Sequence, residues 1–159
     1  AFLDDLELVD EPPAGSEEVA PVVARATILL VEDEDTLRRV MRDLLEQEGY
    51  RICEARDGAE ALEQVDRHNP DLVLLDLNLP RMDGREVLEQ IKGDLQLRMI
   101  PTVILTTSDS AADIANSYRL QANCYLSKPQ HLDAFESLVR CINEFWLTRA
   151  QLPPRLEHG

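Results

Sequence analysis

From Ala26 onward the chain alternates between short apolar runs and segments whose apolar residues recur at helical spacing. Thr27-Ile28-Leu29-Leu30-Val31 is uninterrupted, as a strand buried on both faces requires. Leu37, Val40, Met41, Leu44 and Leu45 then repeat at i, i+3, i+4, i+7 and i+8, which predicts a helix capped by Asp35 or Thr36 and ended by Gly49. Arg51 to Ala55 reads as a second strand, and the Asp57-Gly58 turn leads into a helix through Ala61, Leu62 and Val65 that stops at Asn69-Pro70. Asp71-Leu72-Val73-Leu74-Leu75-Asp76 is the third strand, and a helix with Val87, Leu88 and Ile91 follows its loop. Pro101 to Thr106 forms the fourth strand, and Asp113 to Leu120 a helix with Ile114, Ala115 and Tyr118 on one face. Cys124-Tyr125-Leu126 is the fifth, before a last helix from about Leu132 to Leu147. Five strand-then-helix alternations with buried strands predict an α/β fold, a parallel sheet covered on both faces.

Such sheets gather their sites at the carboxyl ends of the strands. There the pattern brings Glu32-Asp33, Asp76, Thr106 and Lys128-Pro129 together. At about 4 Å and an effective dielectric near 20, each pair of like charges would cost roughly 4 kcal/mol. The acids therefore need a counter-charge. A hard divalent cation such as Mg²⁺ supplies it and leaves room for a phosphate oxygen. Only two lysines accompany fourteen arginines, so Lys92 and Lys128 are the two candidates for chemistry that needs an ammonium. The set permits phosphoryl transfer to Asp76 as nucleophile, with the metal and Lys128 spreading the charge and Thr106 donating a hydrogen bond.

These segments resemble the motifs of response-regulator receiver domains. The resemblance rests on Ile28-Leu29-Leu30-Val31-Glu32-Asp33, on Leu74-Leu75-Asp76 continuing to Met82-Asp83-Gly84, on Thr106-Thr107, and on Tyr125-Leu126-Ser127-Lys128-Pro129. It implies a flavodoxin-like (βα)5 fold, strand order 2-1-3-4-5, phosphorylated on Asp76 by a partner histidine kinase in a two-component phosphorelay. The implied Mg²⁺ ligands are Asp33, Asp76, the Asn78 carbonyl and, through water, Glu32. Lys128 would contact the phosphoryl group, with a cis peptide bond to Pro129. Thr106 and Tyr125 match the switch pair, and Asn78 and Ser108 the positions that tune dephosphorylation. Output would pass through the surface of the fourth helix, fifth strand and fifth helix. No catalysis beyond the chain's own phosphorylation and dephosphorylation is implied.

Where many receivers have Gly-Ala before the fifth strand, this chain has Gln121-Ala122-Asn123-Cys124. That variant, with Ser117-Tyr118 and Asn143 to Leu147, resembles regulators paired with phytochromes and makes a bacteriophytochrome a candidate kinase. The first half looks more like receivers fused to hybrid kinases.

The count of 31 acids against 16 bases gives −15, which argues against direct nucleic-acid binding. No apolar run approaches the roughly 20 residues of a membrane span, and no signal peptide opens the chain. Cys53, Cys124 and Cys141 have no metal-ligand or disulfide spacing and read as buried free thiols, which with the rest predicts a cytoplasmic protein. Residues 1–25 are acidic with interspersed prolines and read as a linker or tail; the missing initiator Met points to a piece of something longer. The receiver is expected at 26–148, and 149–159 as a tail that is in part an expression remnant, with no output domain attached. His68 and His131 are expected at the surface. Phe145 and Trp146 point about 100° apart on a helix, so one packs inward and the other reaches a neighbour, which predicts a homodimer on the strand-four-to-helix-five side.

Three rivals remain on the sequence. A haloacid-dehalogenase-type enzyme would want a second acid two residues after the nucleophile, where Asn78 stands. A flavin carrier would want a Ser/Thr/Gly-rich loop after the first strand. A constitutive, non-phosphorylated docking module is the third, against which the intact acid–Thr–Lys set argues.

Overall fold

The computed structural model describes residues 26–154; the expectations for 1–25 and 155–159 lie outside them. Five parallel strands stand in the order β2-β1-β3-β4-β5, the flavodoxin-like arrangement. They are β1 (Thr27–Val31), β2 (Arg51–Ala55), β3 (Leu72–Leu75), β4 (Thr102–Thr106) and β5 (Cys124–Ser127). The helices between and after them are α1 (Asp35–Gln47), α2 (Gly58–His68), α3 (Gly84–Gly93), α4 (Ala111–Arg119) and α5 (Phe135–Glu144).

Alternate residues of the central strands feed two cores. Ile28, Leu30, Leu72, Leu74 and Val103 meet Met41 and Leu45 of α1 and Phe135, Val139 and Ile142 of α5. Leu29, Val31, Val73, Leu75 and Ile104 meet Ala61 and Val65 of α2 and Val87, Leu88 and Ile91 of α3. Every residue of β1, β3 and β4 is buried, which is why those strands show no polar alternation.

Several local expectations change. α1 is capped by Glu34, whose carboxylate accepts the Leu37 N–H at 2.6 Å, because the longer side chain spans the gap from one position earlier. α4 begins at Ala111, capped by Ser110, and buries Ser117, while Tyr118 is 48% exposed. Its apolar residues are too few to decide which face turns inward. The last helix divides into a 3-10 turn (Leu132–Ala134), α5, and a π turn (Phe145–Arg149) closed by the Ala150 N–H on the Phe145 carbonyl at 2.7 Å. Trp146 packs on the α1–α5 core and Phe145 is 57% exposed, their rings edge to face. Cys53 and Cys124 are half-buried but Cys141 is exposed, since it lies on the outer side of α5. His68 and His131 are exposed.

Lys92 lies at the amino edge of the sheet, opposite the cluster of acids. Its ammonium donates to the carbonyls of Arg98 and Ile100 and to Asn123 Oδ1, each at 2.9 Å. With no carboxylate among these acceptors, burial pulls it down to about 8. Lys92 therefore pins the starts of β4 and β5, and Lys128 is left as the ammonium at the carboxyl edge.

Gln121, in the position where many receivers have glycine, adopts φ 79°. A side chain in that left-handed region costs roughly 1–2 kcal/mol, and glycine avoids the cost at the expense of some chain entropy. Gln121→Gly is expected to stabilise the chain by about 0.5–1 kcal/mol, measured as a higher urea midpoint with an unchanged slope.

Candidate functional site

The site sits where β1, β3 and β5 end. The Glu32 N–H still pairs with the Ala55 carbonyl at 3.0 Å, and the Asp76 N–H with the Val31 carbonyl at 3.2 Å. Both acids are thus held by the sheet itself and are buried, at 4% and 5% exposure. Asp33, one residue further along, is exposed. Oxygens of Glu32, Asp33 and Asp76 all lie within 4.8 Å of one another.

Lys128 enters from the end of β5, its backbone N–H bonded to the Thr106 carbonyl at 2.8 Å. Its ammonium donates to Asp76 Oδ2 at 2.9 Å and to Glu32 Oε1. One buried cation thus serves two buried anions. Burial pushes the Glu32 carboxyl above its usual range, an effect that Lys128 opposes but does not cancel. Burial pulls Lys128 down, and its bonds to Asp76 and Glu32 outweigh that and hold it above an ordinary lysine.

The remaining oxygens have lighter duties. Asp76 Oδ1 accepts the Asn78 N–H at 3.2 Å, and Glu32 Oε2 the Glu34 N–H at 3.0 Å. Asn78 is exposed, and its amide lies 3.5 Å from the fully buried Thr106 hydroxyl. Tyr125 is half-buried and donates its hydroxyl to the Ser108 carbonyl at 2.9 Å. The Ser108 hydroxyl turns to Asp113, which Arg85 pairs at 2.8 Å. An open pocket lined by Glu32, Asp33, Asp76, Asn78, Thr107 and Lys128 leads to solvent, with Leu132 and Pro129 on its rim. Three hard carboxylates at its floor suit a divalent cation.

The expectation of a cis bond at Pro129 is corrected: all peptide bonds among the described residues are trans. Trans is the intrinsically favoured form by about 0.5–1 kcal/mol. Lys128 reaches both carboxylates from it.

Two contributors were not evident from the motifs. Gly84 opens α3 directly against the strand end that carries Asp76, and a Cβ there would meet the Asp76 carbonyl oxygen at 2.1 Å and Leu77 Cα at 2.7 Å. Asp57 caps α2 and pairs with Arg81, tying the loop after Asp76 to the loop after β2. Gly84 was legible as the end of the loop after Asp76; its approach to backbone was not.

The chain is similar to known proteins of one family. The response regulator receiver domain family model matches residues 28–140. The response regulator Rcp1 of a Synechocystis species is 41% identical over 135 residues, covering 79% of this chain and 92% of Rcp1. The crystal structure of the Mn²⁺-bound form of Rcp1 matches with TM-score 0.76 at 40% identity, covering 81% of this chain and 99% of that one. That of the phosphorylated cyanobacterial phytochrome response regulator RcpA matches with TM-score 0.78 at 41% identity, covering 82% and 100%.

Because the Cβ at position 84 would meet backbone, no rotamer relieves the clash. Gly84→Ala is expected to lower stability by about 3 kcal/mol in denaturant unfolding, with α3 and the Asp76 loop forced apart.

Proposed function

The chain belongs to the response-regulator receiver family, and from that premise we propose that residues 26–148 accept a phosphoryl group on Asp76 from a histidine kinase. An Asp76 carboxylate oxygen attacks phosphorus, the P–N bond of the donor phosphohistidine breaks, and an acyl phosphate forms on Asp76. Hydrolysis returns the carboxylate and inorganic phosphate. The observation that carries this reading is the single Lys128 ammonium shared by buried Asp76 and Glu32 beside exposed Asp33.

Glu32, Asp33, Asp76 and the Asn78 carbonyl are the residues that would hold Mg²⁺, which supplies positive charge opposite the phosphoryl oxygens. Lys128, already charged and desolvated, transfers one of its hydrogen bonds to a phosphoryl oxygen. Thr106 lies behind Asn78 and donates to another as it moves toward Asp76. Tyr125 follows through its bond to the Ser108 carbonyl, so the fourth and fifth helices and β5 carry the output. Ser108 and Asn78 set how readily water reaches the acyl phosphate.

The likeness to a phytochrome response regulator supports a bacteriophytochrome as the kinase. The exposed Phe145 ring supports a homodimer on the β4–α5 side. The net charge of −15 argues for protein partners, not nucleic acid, and three free cysteines suit a reducing compartment, the cytoplasm. No helix among the described residues is long and apolar enough to cross a membrane.

Acetyl phosphate with Mg²⁺ is expected to add one phosphoryl mass to the chain and none to Asp76→Asn. The same samples run through light scattering are expected to shift toward dimer with the adduct. A folded chain that takes no phosphoryl group and associates identically in both forms would instead be a constitutive docking module.

A further inference from the structure

The peptide group that joins Glu32 to Asp33 lies just beyond the last residue of β1, and the Glu32 carbonyl is held by a side chain. Arg38, in the first turns of α1, donates Nη1–H to that carbonyl at 2.7 Å. Its Nε–H goes to Glu54 of β2 at 3.1 Å and its Nη2–H to Asp35 at 2.6 Å. All three guanidinium nitrogens are engaged, and the side chain is 12% exposed. Glu54 is fixed from its other oxygen by Arg42 at 3.2 Å. The guanidinium is therefore clamped to the edge strand while it holds the carbonyl.

A peptide group is planar, so fixing the Glu32 carbonyl fixes the orientation between the Cα atoms of residues 32 and 33. Those two residues carry two of the three acids of the cluster, one buried and one exposed. We propose that Arg38 is a positioning residue for the divalent-cation site: it holds the Glu32–Asp33 peptide so that both carboxylates face Asp76. This rests on the receiver reading of the acidic cluster.

Charge and positioning make opposite predictions here. A fixed guanidinium beside the acids repels a divalent cation, so its charge alone makes binding weaker and its removal would tighten it. If its role is to orient the ligands, removal weakens binding. Lysine keeps the charge but lacks the planar fork that reaches three acceptors at once.

The test is Mn²⁺ affinity of the full chain, read from the free-ion electron paramagnetic resonance signal, with folded fraction from circular dichroism on the same samples. Groups that orient metal ligands typically contribute 10–100-fold to affinity. Arg38→Met and Arg38→Lys are each expected to bind Mn²⁺ about tenfold more weakly per folded molecule. Arg39→Met, exposed on the same helix and acting on Asp35 only through its charge, reports the charge effect and is expected to tighten binding by about twofold at most. Unchanged or tighter binding in Arg38→Met, or parental affinity in Arg38→Lys, overturns the proposal. So does a loss that vanishes once affinity is expressed per folded molecule. Mn²⁺ binding by the parent that survives Asp33→Asn would overturn the site reading itself, and this proposal with it.

Discussion

One ammonium between two buried carboxylates is the interaction on which this structure depends. Glu32 and Asp76 are carried inward by strands whose every residue is buried. Backbone bonds to the neighbouring strands hold both residues in the sheet, and both side chains are buried. The charge has to be met in place, and Lys128 meets it from the one strand end that faces both. Asp33 is left on the open side of this pair, where a cation from solution has access.

Packing around the trio follows from that requirement. α3 must start close enough to Asp76 to cover the strand end, and only the missing side chain of Gly84 permits it. Thr106 offers its carbonyl to the Lys128 N–H, so the switch candidate and the counter-charge share one backbone bond. On the other side of β1, Arg38 and Arg42 converge on Glu54, binding the edge strand to α1. The loops that carry Ser108 and Asn78 are braced by side chains, by Asp113 with Arg85 and by Asp57 with Arg81. Arg81 is 77% exposed, so its pair with Asp57 contributes little, and the Asn78 loop has the freedom to respond when charge changes at Asp76.

Much of this was legible because the strongest signals are periodic. The run Leu72 to Leu75 between two aspartates reads as a doubly buried strand from hydropathy alone, and the carboxyl-edge rule then places Glu32, Asp33, Asp76 and Lys128 together. What stayed hidden depends on contacts with no period. Glu34 caps α1 by reaching forward, which ranking cap residues by type does not anticipate. The inward face of α4 is set by Ser117, a polar residue that no apolar stripe reveals. Gln121 occupies a left-handed conformation that its side chain disguises, and only the comparison with glycine in related chains points to it. The trans bond before Pro129 ran against an expectation that came from resemblance alone. Arg38 carries no periodic signal, and its part is set by the Glu32 carbonyl its guanidinium reaches.

Lys128→Met tests the central claim most directly, by comparing its thermal unfolding with that of the parent in the absence and presence of Mg²⁺. Removing one partner of a buried ion pair costs about 3–5 kcal/mol when the remaining charge is left uncompensated. Without divalent cation the variant is expected to be less stable by about 3 kcal/mol. Mg²⁺ should then raise its midpoint more than the parent's, because the cation replaces the missing ammonium beside Glu32 and Asp76. A variant as stable as the parent without Mg²⁺, or a deficit that Mg²⁺ leaves untouched, would contradict the account.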